Sequence, residues 1–453
     1  MAMNKIAVRT ILLGCLMMSA TVFSQTGPAR GDRDKIAASQ AGASPIYFEV
    51  SAFNIPAIEP GNFNNELECN VRGGFPGFFE KVNQGKKVVV AFIGGSITQA
   101  NFGYRLQTAR YLEQAYPQAR FQWINAGVSG TGTELGAFRI KEQVLNHRPD
   151  LIFIEFAVNG AYAPGMEGMI RQTIRENPNA SICLIYTILT GQTVFYQKNE
   201  LPPNIKGLEQ VGIHYNLPAV NLGMEAASLE AEGKLVWKGT QADEGKILFS
   251  EDGIHPTTAG GNLYAAAIAR AFKKIAAAKQ LKKKELPEPL ITAAWDEATM
   301  VDPSALEGLD NAWQLMPTDA NPNLKKFNPW FSSVFTASTP GATFSFRFKG
   351  DMLGVFDIGG PEAGQLEWII DGKPVKIMNR FNSYCNNRYR GQFDVVNVPQ
   401  GIHLVKVVLS RQKADKLMIL PEDKRADIIE HPEKYDQTVA YLGRILLRGT
   451  LLK

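Results

Sequence analysis

The chain has 453 residues, 45% of them hydrophobic and 20% charged, with 48 Lys and Arg against 44 Asp and Glu. That length accommodates two ordinary domains, each with its own core, and the composition is ordinary for a globular protein. The net charge is +4, or +2 once Lys5 and Arg9 leave with the leader described next. No basic stripe with interleaved aromatics accompanies it, so no nucleic-acid partner is expected.

Lys5 and Arg9 form a positive n-region, Ile11–Phe23 is apolar, and Val22–Phe23–Ser24 offers a cleavage point. Residues 1–24 therefore read as a secretory signal peptide, and the mature protein as secreted or periplasmic. The apolar run is too short and wrongly flanked for a spanning helix, so no transmembrane span is expected. Leu12–Leu13–Gly14–Cys15 also resembles a lipoprotein box, but the apolar run continues past Cys15. Beyond the leader, Cys69, Cys183 and Cys385 are an odd, widely spaced set, neither a disulfide framework nor a zinc pattern. Cys183, inside the apolar run 181–185, reads as a buried thiol, and at most one bridge, Cys69–Cys385, can form. No metal or cofactor is expected.

Residues 25–85 read as a lead-in: a polar stretch to Ser44, a short strand at Ile46–Val50, and a short helix from Pro76 to Val82. The run Val88–Ile93 then reads as a strand buried on both faces, ending at Gly94–Gly95 before Ser96, with Thr98 as the N-cap of a following helix. Taken alone, the stretch leaves open whether the serine is chemically active or incidental. Alternation follows: helix 104–116, strand 121–126, helix 134–145, strand 151–158, helix 166–176, strand 181–189, helix 205–215, strand 219–222 and the alanine-rich closing helix 258–279. Strands alternating with helices predict βαβ crossovers and a parallel sheet over 86–284. Leu281–Lys284 reads as a cationic helix end.

Two prolines, Pro287 and Pro289, make 285–290 a linker. Beyond it, in 291–453, the grammar changes to short alternating strands such as Phe344–Phe348 and Leu404–Val408, with a hairpin at Asp371–Gly372. An all-β sandwich, jelly-roll-like, is predicted there.

Each strand of the first domain ends at a residue with chemical potential: Ser96, Gly127 and Asn159, with Glu251–Pro256 before the closing helix. The carboxyl edge of a parallel sheet gathers such ends into one crevice. Ester hydrolysis needs a nucleophile, a base and oxyanion donors. His255 is the best base of the five histidines, because His147 reads as a helix-end cap, His214 lies within a helix, and His403 and His431 lie in the second domain. Asp252, three residues earlier, can hold the other ring nitrogen. Gly127 can offer a backbone N–H and Asn159 a side-chain N–H. Glu155 reads as a hydrogen-bonded structural carboxylate outside the site. Tyr104, Tyr162 and Trp237 each fit the crevice wall or ordinary core, and Arg380–Arg390 reads as a plain loop, with a lip over the site as the other reading.

The ordered blocks Gly-Gly-Ser-Ile-Thr, Asn-Ala-Gly, Val-Asn-Gly and Asp-Gly-Ile-His-Pro resemble the SGNH (GDSL-type) esterases and lipases over roughly Lys86–Lys284. The resemblance implies a three-layer, flavodoxin-like domain. It also implies Ser96 as nucleophile, Asp252–His255 as the base pair, and an oxyanion hole of the Ser96 and Gly127 N–H groups with the Asn159 amide. Two positions depart from the family's pattern: Gly95 stands where Asp is usual before the serine, and Gly160 where Asp usually follows the asparagine. Both changes take possible support away from the loops. The function expected is an exported serine esterase removing short acyl groups, acetyl foremost, from a carbohydrate or other small ester. A lipase of the same family and a non-catalytic glycan-binding protein are the alternatives. The oligomeric state is not legible.

Overall fold

Two edge strands come first, β1 (Tyr47–Phe48) and β2 (Cys69–Asn70), before helix α1 (Pro76–Asn83) opens on its proline. The computed structural model describes residues 46–281 and 285–453; the leader, Cys15 and Lys282–Lys284 lie outside the described residues. The run of branched and aromatic residues after Gly85 becomes β3 (Lys87–Gly94), with Val88, Val90, Ala91, Phe92 and Ile93 fully buried. There follow α2 (Ser96–Gln99), α3 (Tyr104–Ala115), β4 (Arg120–Gly127), α4 (Thr133–Gln143), β5 (Leu151–Glu155), α5 (Ala163–Glu176) and β6 (Ser181–Tyr186). The domain continues through α6 (Thr193–Tyr196), α7 (Pro203–His214), β7 (Ala219–Asn221), α8 (Met224–Ala231), β8 (Leu235–Lys238), β9 (Ile247–Ser250) and α9 (Thr258–Ala277).

The sheet runs β1-β4-β3-β5-β6-β7-β2; the five inner strands are parallel and both edges antiparallel. The inner order is the flavodoxin-like one, whose direction of winding reverses between β3 and β5. Ser96 and Asn159 follow those two strands. Tyr104 of α3 and Phe272 of α9 lie over Phe92 and Phe153, which stack with ring centres 4.7 Å apart. The described part of the lead-in, 46–85, is built into this body: it supplies both edge strands, and buried Glu68 accepts from Arg270 of α9 at 2.6 and 2.9 Å. Two-residue strands carry no period, so the sequence shows only the first of them. Cys69, Cys183 and Cys385 are all free and buried, so Cys69 and Cys385 are not bridged.

In the second domain the named strands all pair antiparallel: β10 (Ala298–Val301), β11 (Gly308–Leu309), β12 (Gln314–Pro317), β13 (Ser333–Ala337), β14 (Thr343–Gly359), β15 (Gln365–Ile370), β16 (Lys373–Asn379), β17 (Arg390–Leu409) and β18 (Ala440–Leu452). Three long strands carry hydrogen bonding through one nine-stranded sheet curled into a half-barrel. In β14 a bulge between Gly350 and Met352 adds one residue, so the core face passes from Phe344, Phe346 and Phe348 to Leu353 and Val355. The opposite face of its last turns, Met352, Phe356 and Ile358, belongs to the core of the first domain. The linker is pinned: buried Glu167 accepts the N–H groups of Leu290, Ile291 and Thr292 at 2.5, 2.9 and 3.0 Å. Arg171 grips Asp296 through both carboxylate oxygens, and Trp295 is buried against Phe138.

Candidate active site

β3 ends at Gly94, and the Gln99 N–H returns to Gly95 O at 2.9 Å, so α2 opens at Ser96 itself. Thr98, expected as an N-cap, therefore lies inside the turn. Its buried hydroxyl donates to Glu155 Oε2 at 2.9 Å and contacts the Tyr104 hydroxyl at 2.7 Å. Gly95 is explained by close approach: a Cβ there would stand 2.1 Å from Asn159 Nδ2. The acidic residue usual before the serine has no room in this chain. Gly160 follows Asn159 with φ +56°, a conformation an aspartate adopts only with strain.

Ser96 Oγ lies 2.7 Å from His255 Nε2, and His255 Nδ1 lies 2.7 Å from Asp252 Oδ2. With the ring proton on Nδ1, that nitrogen donates to the carboxylate and leaves Nε2 to accept from the serine. Asp252 Oδ1 also accepts the backbone N–H groups of Ile254 and His255, both at 2.9 Å. Burial raises the Asp252 carboxyl, but the hydrogen bonds from the His255 ring and these N–H groups outweigh it and hold the carboxyl well below the usual range. The turn is fixed from behind. Gly253 O accepts from Trp237 Nε1 at 3.1 Å and from Thr190 Oγ1 at 3.0 Å, and Thr257 caps α9 by accepting the Gly260 N–H.

On the other side of the serine, nothing among the described residues accepts a hydrogen bond from the Asn159 amide, which stands over the turn. Gly127 is differently placed. Its N–H donates to Asn125 Oδ1 at 3.0 Å, and its α-carbon is pressed against the backbone of Thr98 and Gln99, so this donor is already engaged. The sequence offers Asn125 in the Asn-Ala-Gly block, but not that its side chain takes the Gly127 N–H. Three residues on, the N–H of exposed Gly130 donates to nothing among the described residues.

Three buried charges support this edge. Glu155, the last residue of β5, accepts from Thr98 and, at 2.6 Å, from Thr187, and the Gly95 N–H also points to it. Burial is the main influence on it and raises its pKa. Arg105 donates to the carbonyls of Thr98 and Ala100 at 2.8 and 2.9 Å, and Arg139 donates to those of Ala126 and Gly94, the latter at 3.0 Å. Burial pulls both guanidiniums down to about 9, which leaves them cationic at neutral pH. Sequence reasoning missed both arginines, since an inward-facing arginine on a helix has no spacing signature.

The remaining candidates lie elsewhere. Tyr104 and Trp237 are buried, Tyr104 also lining the depression beside His255, and half-exposed Tyr162 packs on Trp295. His147 bonds Tyr47, His214 bonds Glu288 O, and His403 bonds Asp371. Among Ile97, Ala100, Phe102, Gly103, Tyr104 and Pro256, a small depression opens beside His255. The 380–390 loop is not a plain surface loop: Arg390 Nη2 reaches Ser129 O at 3.4 Å, so the lip reading is the one the fold adopts.

Residues 92–263 match the model of the GDSL-like lipase/acylhydrolase family. Over those residues the first domain resembles that family. The chain is a carboxylic ester hydrolase, and all four sequence blocks fall within the matched residues. A two-domain esterase (CEX) active on acetylated mannans, crystallised with mannopentaose, superposes with a TM-score of 0.63 at 21% identity over 84% of this chain and 97% of its own. A second structure of that esterase gives 0.61 at the same identity and coverage. An acetylxylan esterase from Geobacillus stearothermophilus, 21% identical, covers 44% of this chain and 97% of its own with a TM-score of 0.32. At these identities the likeness to the two-domain esterase is one of fold. Comparison with curated protein sequences finds no match.

Proposed function

We propose that this GDSL-type hydrolase removes acetyl groups from an acetylated carbohydrate through an acyl-serine intermediate. The observation that carries the reading is the unbroken chain Asp252–His255–Ser96, with 2.7 Å at each link. Ser96 Oγ attacks the ester carbonyl while His255 Nε2 takes its proton. The imidazolium, steadied by Asp252, then returns that proton to the departing sugar oxygen. Water repeats the cycle on the acyl-serine and releases acetate. The Ser96 N–H and the Asn159 amide receive the oxyanion. Gly130 N–H stands in as third donor for Gly127, whose N–H is engaged. Each donor of this kind contributes about 2.7–4 kcal/mol to the transition state.

The carbohydrate is supported by the two-domain fold shared with an esterase active on acetylated mannans. The leader in residues 1–24 supports export, and no helix among the described residues is long and apolar enough to cross a membrane. The test is an assay of wild type and Ser96→Ala on an aryl acetate, a long-chain aryl ester and acetylated polysaccharides. Turnover of acetyl esters that vanishes in Ser96→Ala is expected. Preference for the long chain would make the protein a lipase. Equal inertness of both proteins, with glycan binding intact, would make it a binding protein.

A further inference from the structure

The lip that the second domain places on the crevice is strongly cationic. Arg390, the first residue of β17, reaches Ser129 O, and a methyl group on Gly130 would stand 2.7 Å from its Nη2. Ser129 is itself tied to the nucleophile's helix, its N–H donating to Gln99 Oε1 at 2.7 Å. The Arg390 guanidinium lies 4.8 Å from the ring centre of Tyr384, and Lys424 Nζ lies 5.7 Å from the same centre. Arg388 Nε donates to Tyr384 O at 2.9 Å. Burial and the Arg388 charge both disfavour the cation on Arg390, and both also weigh on Lys326.

Among the described residues, none of these four cations has an ion-pair partner. Acidic groups of the same domain are committed elsewhere: Glu362 to the hydroxyls of Tyr389 and Tyr441, Asp427 to Tyr435 and Lys434. Glu422 and Asp423 precede Lys424 and stay in solvent. Like charges gathered on one ring repel one another, and they persist at a functional rim when a ligand supplies the opposite charge. The guanidinium fork matches a carboxylate in particular.

We propose that this lip is a carboxylate-binding subsite and that the acetylated glycan taken by the enzyme carries uronate residues. The assignment rests on the esterase reading above and names its substrate class. A uronate carboxylate seats on Arg390 and Arg388 while the acetyl ester of the same or the next sugar lies at Ser96. The chain from Ser96 through Gln99 and Ser129 to Arg390 holds the two contacts side by side. A neutral backbone would leave these charges unmatched.

The test compares an acetylated oligogalacturonate and a glucuronate-branched acetylated xylo-oligosaccharide with the same molecules after reduction of their carboxyls to alcohols. For wild type, KM is expected to be roughly tenfold lower on a uronate form than on its reduced counterpart, and high salt is expected to erase the difference. Arg390→Gln, or Arg388→Gln should the first variant fold poorly, is expected to abolish the preference. Equal KM on both forms in wild type overturns the assignment. So do variants that raise KM equally on both, because that is the mark of loop support. Calorimetry of de-acetylated oligogalacturonate with Ser96→Ala keeps the two readings apart. Salt-sensitive binding supports the subsite even if no ester is turned over, and its absence overturns the subsite even if aryl acetate is hydrolysed.

Discussion

Replacing Gly95 by alanine tests how the serine turn and the proposed oxyanion donor Asn159 share space. The backbone φ of −88° admits a side chain, so the penalty is steric. The new methyl would stand 2.1 Å from Asn159 Nδ2, 3.0 Å from its Cγ and 3.3 Å from its Cβ, whereas ordinary contact begins at 3.4 Å. The amide must therefore retreat by more than an ångström, beyond the roughly 2.7–3.1 Å at which a donor serves an oxyanion. The loss is one donor, about 2.7–4 kcal/mol, or a fall in kcat of roughly 10²–10³. KM should change little, and crowding should cost about 1–3 kcal/mol of stability. The assay is kcat on an aryl acetate, with thermal unfolding run in parallel. In an Asn159→Ala background the same substitution has nothing left to displace and should cost almost nothing more. Wild-type kcat in Gly95→Ala, or the same loss in both backgrounds, would refute the reasoning.

Glu155→Gln puts an amide where three donors converge; a loss of about 1–3 kcal/mol in denaturant unfolding and a lower kcat are expected. Asp252→Asn should lower kcat on the order of 10³–10⁴ by releasing the ring tautomer. Because the Asp252 carboxyl is depressed in the folded state, its stabilising contribution is present above its unfolded pKa of about 4 and is lost as pH falls through the folded value. The stability gap between wild type and Asp252→Asn should therefore narrow with falling pH in acid unfolding curves. Burial pushes the Cys69 thiol up to about 12 and Cys385 to about 11, and raises Cys183 well above its usual value. In protein expressed without residues 1–24, all three should resist alkylation at mildly basic pH and react together on unfolding, as counted by mass spectrometry.

Much of the site was legible because its chemistry is local. A strand, two glycines and a serine, then an aspartate three residues before a histidine, are patterns a few residues long. What escaped was of longer range. Arg139 supports two strand ends from an adjacent helix, and no periodicity separates it from a surface arginine. The engagement of Gly127 depends on where the Asn125 side chain turns. The lip joins Arg390 to Ser129 across 261 residues, a contact no local rule can propose. The second domain was legible as antiparallel β from its alternation, while the length and curl of its strands follow from a bulge at Gly350.

The anchoring of the linker by Glu167 and the shared apolar layer around Trp295 and Phe356 bear on how such enzymes are inherited and re-used. A domain joined by a loose tether can be lost or exchanged by recombination with little damage to its neighbour. Here a cut after Pro289 would strand a buried carboxylate and uncover a greasy flank on the hydrolase. The two halves should melt in a single calorimetric transition and travel through evolution as one heritable unit.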